Sequence, residues 1–446
     1  MKTKIAVIIT LIAFSFSGIS QKKWTLKEAV NHALENNITI KQNSLNVESS
    51  KEDVIQAKGN FLPNLSASSG GNFGFGSRIH PVTNSRVSST TFGASFGLNS
   101  GITIFNGFRN LNSYKQAQLG VESSKLELKR VQDDISLRVV DAYLNILFAK
   151  ENLNVAKVQY EISKKQIERA KNEVEAGSKA RGELLNVEST AATDEQNVVA
   201  QENTLDLALL TLAQLLQVST TNFDIADIDV GSPSIATFYN NSDVIYKKAV
   251  KARPEIMKAQ IGVKNAELGI EIAKGRFLPT LSGSASMSTN FGHSFDLLPG
   301  QPSNTYFFKQ ILKENLGYGL GVSLSIPIFN GFQTKSGVSK SIINQEISEI
   351  TLESQKLQLK ATIERVFLDA KSAAKTYESA QKSLASQQEA FKNAQERYNF
   401  GAMTLFDFDQ VRNRYVNSQS SLIRAKFDYV FKSKVLKFYY GESIID

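Results

Sequence analysis

The sequence predicts a mainly α chain with a small membrane β part, built as one unit used twice in tandem. Three observations lead there. Residues 57–66, AKGNFLPNLS, return as residues 273–282, AKGRFLPTLS, and IFNGF at 104–108 returns at 328–332. Each copy carries two runs in which apolar and small polar residues alternate, the period of a strand. No proline falls between Pro81 and Pro233 or after Pro327, and apolar residues there recur at three- and four-residue steps. That spacing is coiled-coil-like and predicts long antiparallel helical hairpins.

Composition removes several function classes. The 446 residues include no cysteine, so disulfides, thiolate metal sites and cysteine nucleophiles are excluded. The net charge is +8, but Lys and Arg are interspersed with Glu and Asp along helical runs. This is a solvated helical face and not a phosphate-tracking patch, so no nucleic-acid partner is expected. Residues 1–20 carry two lysines, an apolar run from Ile5 to Phe16 and then small residues, the pattern of a signal peptide. No later stretch approaches the ~20 apolar residues of a membrane helix. Export then leaves two classes: a β-barrel, or a soluble or surface coiled-coil protein with a structural or adhesive role.

The first copy is assigned to residues 21–240 and the second to 241–446. In the first, Ala29, Val30, Ala33 and Leu34 mark a short helix, and a longer one covers about 39–60 until Gly59 and Pro63 stop it. A β-hairpin is predicted over about 64–105. Leu65, Ala67, Phe73 and Phe75, then Phe92, Ala94, Phe96 and Leu98, form one face, and Ser, Gly and Asn form the other. Residues 77–90 read as its loop. A long helical hairpin follows over about 110–217, broken at Gly177, and 218–240 read as a linker. The second copy repeats this plan. Its β-hairpin covers about 280–329 with a loop at about 292–314, and its helical hairpin covers about 335–440, broken at Gly401.

Four strands per chain cannot close a barrel, and in lipid every strand edge must be paired. Closure therefore needs several chains, giving 8, 12 or 16 strands. The small polar face suits a water-filled lumen. The helical hairpins would continue the wall as a tube.

These residues resemble the TolC-like outer membrane efflux family. The resemblance rests on WTLKEAVNHALENN at 24–37, RPEI at 253–256, both FLP turns, both IFNGF junctions and residues 397–429. It implies a homotrimer with a 12-stranded β-barrel and a periplasmic α-barrel in the outer membrane of a Gram-negative bacterium. The implied function is the passive exit duct of a tripartite efflux pump or type I secretion system. Implied partners are outer membrane lipid, a periplasmic adaptor (membrane fusion) protein and an inner membrane pump of RND, ABC or MFS type.

By the same resemblance Gly177, Ser178, Gly401 and Ala402 form an adaptor-contacting tip. Glu183 and Asp407 stand at equivalent offsets after the two glycines and, with Tyr398, form an aperture gate. In a trimer the carboxylates would make a ring able to select cations. The alternative reading is that the glycines form turns and the acids sit at helix starts. Met403 and Gln410 depart from the family's gate pattern. Catalysis has no support: His32, His80 and His293 are scattered, with the last two in predicted outer loops, and no HExxH, GxSxG or P-loop pattern occurs. No metal site or cofactor is expected.

Overall fold

A computed structural model of the chain describes residues 23–79, 84–228, 241–295 and 306–444. The predicted signal peptide, His80 and most of the predicted linker lie outside them. The chain forms two compact units, and these are not the two repeats. One holds residues up to 45, 126–257 and 353 onward; the other holds 46–125 and 258–352. Each unit draws on both copies.

The second unit is built around a sheet of β2 (Asn64–Ile79), β3 (Arg86–Phe105), β5 (Thr280–Ser294) and β6 (Gly317–Ser325). The order is β2-β3-β5-β6 and every neighbouring pair is antiparallel. The register unites the alternating faces of both copies. Phe73 lies opposite Phe92, Leu98 opposite Met287, and Ala285 opposite Leu320. On the other face Ser68 meets Gly97, Asn99 meets Ser286, and Ser282 meets Ser323. Residues directly opposite share a face, so one side of the sheet is apolar and the other is Ser, Gly and Asn. The sheet is not laid on helices along β6, where Leu320 is 91% exposed. β2 and β6 are its edges, each paired on one side within the described residues.

Three details depart from the sequence reading. The first hairpin is longer than expected, because β2 runs to Ile79 and β3 begins at Arg86, inside the predicted loop. His293 lies within β5 opposite Phe92, not in a loop. Residues 307–314, part of the second predicted loop, form a short helical segment that widens into a π-turn. This segment packs on the apolar face: the Phe307 ring meets Phe291 edge-on at 4.9 Å. Gln310 exchanges two hydrogen bonds with the Gly292 backbone, and Thr289 donates to the Ile311 carbonyl at 2.7 Å. Phe307 carries the apolar contact with the sheet, whereas Phe308 and Leu312 stay exposed.

The remaining elements are mostly helices, and they are distributed over both units. α1 (Leu26–Asn36) opens on a capping box in which Thr25 and Glu28 satisfy each other's backbone amides. α2 (Ile38–Gly59) follows it. α3 (Arg109–Glu175) and α4 (Arg181–Leu216) form the first helical hairpin; α7 (Gln333–Asn399) and α8 (Leu405–Tyr440) form the second. α3 and α7 both have 67 residues, and α4 and α8 both have 36. Sixty-seven residues span about 100 Å. α5 (Ser242–Ala252) and α6 (Pro254–Lys274) repeat α1 and α2.

The predicted linker contains structure. β1 (Lys23–Trp24) pairs in parallel with β4 (Asp224–Ile225). The buried Tyr143 hydroxyl donates toward the carbonyls of Trp24 and Ala226 and anchors both strands. Around it Ala29, Val30, Val139, Ile146, Leu212 and Leu216 form the main core. Arg253, from the RPEI motif, bridges Asp133 at 3.3 Å and Glu255 at 3.1 Å beneath the Phe438 ring. Burial pushes the Asp133 carboxyl up, against the pull of that guanidinium.

Candidate functional site: the two helical turns

Both helical hairpins reverse in the same way. Gly177 and Gly401 each have φ +71°, the left-handed region where a glycine costs least. Gly177 N–H donates to the Val174 carbonyl, and Ser178 N–H donates to that of Glu173. Gly401 N–H donates to Tyr398, and Ala402 N–H donates to Arg397. Each set is a Schellman closure, which satisfies carbonyls the helix end leaves free. The Ser178 hydroxyl adds a hydrogen bond to the Glu173 carbonyl at 2.8 Å. A Cβ at Gly177 or Gly401 would meet open space, so these turns are glycine for φ and not for room.

The side chains differ between the turns. α8 is capped by Thr404, whose hydroxyl accepts from the Asp407 amide at 3.2 Å and donates to its carboxylate at 2.7 Å. α4 starts from Ala180, which has no side-chain cap. Glu183 instead pairs with Lys179 at 3.5 Å, and Lys179 also reaches Glu173 at 3.0 Å. Burial works against the Lys179 ammonium, yet its hydrogen bond to Glu173 and the nearby Tyr398 and Glu183 leave its pKa raised. Burial likewise opposes the Glu173 carboxylate, but hydrogen bonds from Arg169 and Lys179 outweigh it and hold its pKa low.

Tyr398 joins the two turns. Its ring stacks on Phe408 at 4.8 Å, with Lys179 5.1 Å and Arg169 5.6 Å from its centroid. Arg169 also donates to the side chain and the carbonyl of Asn399. Glu183, Tyr398, Asp407, Gly401 and Ala402 line one groove of about 760 Å³, with Lys179, Arg397 and Arg414 among them. Gly177 and Ser178 are not in its lining. Sequence reasoning therefore placed most of these residues together but missed the cations. The signal for Lys179 was its i,i+4 spacing to Glu183.

Sequence reasoning also missed Arg412, one turn beyond Phe408 on α8 and 1% exposed. It reaches Asp194 and Asp409, both at 3.5 Å, and donates to Ser163 at 3.0 Å. Ser163 in turn donates to Asp194 at 2.5 Å. Burial raises the Asp409 pKa, opposed by Arg412 and helped by Asp194. An arginine on an otherwise apolar stripe was its available signal. Among the described residues no cluster of His, Asp or Glu could hold a metal, and no helix is long and apolar enough to cross a membrane.

A sheet with one apolar face, one small polar face and two edges unpaired among the described residues, in a chain with paired 67-residue helices, has the strand pattern of an outer membrane β-barrel wall. The chain belongs to the outer membrane efflux protein family, whose model matches residues 29–217 and 245–442. It is 23% identical over 443 residues to outer membrane protein TolC of Escherichia coli, covering 98% of this chain and 86% of that protein. It is 20% identical to the proteases secretion protein PrtF of Dickeya chrysanthemi over 95% of this chain and 89% of that one. The crystal structure of the Campylobacter jejuni CmeC outer membrane channel matches with a TM-score of 0.74 at 18% identity, covering 94% of this chain and 87% of that one. The protein is therefore an outer membrane exit duct with a large periplasmic helical part, and the soluble coiled-coil reading falls away.

Proposed function

We propose that three copies close a 12-stranded β-barrel and act as the passive exit duct of a tripartite efflux pump or type I secretion system. The observation that carries this is the sheet. Four alternating strands leave β2 and β6 as edges running in opposite directions, so copies joined edge to edge continue an antiparallel barrel. The apolar face meets lipid, and the Ser, Gly and Asn face lines a wet lumen. The chain performs no chemistry of its own: partners energise transport. An RND, ABC or MFS pump in the inner membrane would supply cargo through a periplasmic adaptor.

The two helical turns are the docking point in this reading. Gly177, Ser178, Gly401 and Ala402 present open backbone to the adaptor, while Glu183, Tyr398 and Asp407 form the aperture. Glu183 and Tyr398 are held by Lys179, and Asp407 is held by Thr404, so opening must break or carry these contacts. Gly401→Trp tests the assignment. Efflux of a dye and co-purification of the adaptor should both fall at least tenfold, with oligomer mass unchanged. Wild-type efflux by that variant removes these turns from the docking site.

A further inference from the structure

The repeat makes one joint twice, and the single chain fills it once. Gly107, in the first IFNGF, lies against Gly275, in the second copy's FLP turn. A Cβ on either glycine would collide with the other's carbonyl oxygen, and a Cβ on Gly107 would also stand 3.0 Å from the Leu278 Cβ. Both glycines are buried. Arg109 donates to the Thr280 hydroxyl at 3.3 Å beside them. Further along the same helices, Gln116 donates to the Asn265 carbonyl at 2.8 Å, and its amide lies 3.7 Å from where a Gly269 Cβ would be.

The second joint has both halves but no fill. Gly331, in the second IFNGF, has φ +60°, close to the +70° of Gly107. Gly59, in the first FLP turn, stands where Gly275 stands in the second copy. Both are exposed, and a Cβ on either would meet nothing within 4 Å. Their neighbours Leu62 and Phe332 are 65% and 67% exposed. Outside the joint, the positions of Gln116 and Gly269 are taken in the other copies by Lys340 and Asp53, an exposed cation and an exposed anion.

We infer that Gly331 of one copy seats against Gly59 of a second copy of this chain, and that Lys340 faces Asp53 across the same joint. This rests on the assembly proposed above and specifies its seam residue by residue. The matching register follows from β3 on β5, where Thr103 pairs with Ser282. Carried to β6 and β2 of the neighbour, it sets Leu320 opposite Phe73 and Tyr318 opposite Phe75, apolar with apolar. The joint is head-to-tail, so a ring closes only when every copy supplies both halves. Opposite charges at Lys340 and Asp53 fix which halves meet and reject a seam formed from two like halves.

The absence of native cysteine makes the test direct. The doubly substituted chain Asp53→Cys with Lys340→Cys, in outer membranes, is treated with a short bismaleimide. Covalent dimers and trimers should form at least tenfold above either single variant. The pair Gln116→Cys with Gly269→Cys should cross-link within one chain and keep monomer migration. Asp53→Lys or Lys340→Asp alone should lower the unheated oligomer fraction, and the two together should restore it. An oligomer of unchanged mass that cross-links no better than the single variants overturns the seam and leaves the assembly standing. A wild-type chain that is monomeric in detergent overturns both.

Discussion

The two helical turns share a backbone and an acid at the same offset, Glu183 and Asp407, and differ in the side chains that hold those acids. Each closes on a glycine at φ +71° with the same pair of hydrogen bonds, between helices of 67 and 36 residues. Yet the first carries Lys179 bridging Glu173 and Glu183, while the second has Met403 at the equivalent position and relies on Thr404 to cap its helix. Duplication has conserved what the turn needs to reverse the chain. The side chains have diverged, so that the first turn supplies Lys179 and the second supplies the Tyr398 ring that it faces, stacked on Phe408. Across the joint Lys179 and Arg169 of the first copy meet Tyr398 of the second, and Arg169 also donates to the Asn399 carbonyl.

The largest expected effect comes from Arg412, which ties α8 to α3 and α4. Arg412→Ala leaves Asp194 and Asp409 without their buried cation, and breaking such a pair costs about 3–5 kcal/mol. Chemical denaturation should show it; a loss below ~1 kcal/mol would mean that solvent already screens the site. Gly177→Ala and Gly401→Ala should each cost about 1 kcal/mol, because both glycines hold the same left-handed φ and both have open space. Unequal costs would break the backbone equivalence of the turns.

Capping should separate them. Thr404→Ala removes a side-chain cap and should cost about 1 kcal/mol, whereas Ala180→Thr should stabilise α4 by less than that. Lys179→Met imposes the second copy's residue on the first and should cost under ~1 kcal/mol, with most of the loss gone at high salt.

Acidity offers the finest distinction. The folded Asp409 pKa is raised, so the folded state binds its proton more tightly than the unfolded state. Its contribution is present below the unfolded value and is lost as pH rises through the folded value. Asp409→Asn should flatten that part of the melting-temperature profile. An unchanged profile in the variant would assign the slope elsewhere.

Much of the fold was legible because the repeat reports itself. Gly59 and Pro63, then Gly275 and Pro279, stop helices at matched places, and the alternation of Ser and Gly with Leu, Val and Phe gave the strand faces. Less legible was anything set by tertiary contact. The β1–β4 pairing is two residues long in each strand and has no periodicity to detect. Residues 307–314 read as loop because their apolar side chains are too few to show a period, yet they fold onto Phe96 and Phe291. At the turns, glycine and acid spacing gave Gly177, Gly401, Glu183 and Asp407. The partners Arg169 and Arg412 stayed hidden because a charged residue on a long helix reads as solvated until another helix covers it.

The sheet's two edges, unpaired among the described residues, are the centre of the account, and mass is their most direct measure. Light scattering on the detergent-solubilised protein, corrected for bound detergent, should give three chains. A stable monodisperse single chain would contradict it, because β2 and β6 would then have to satisfy their edges alone.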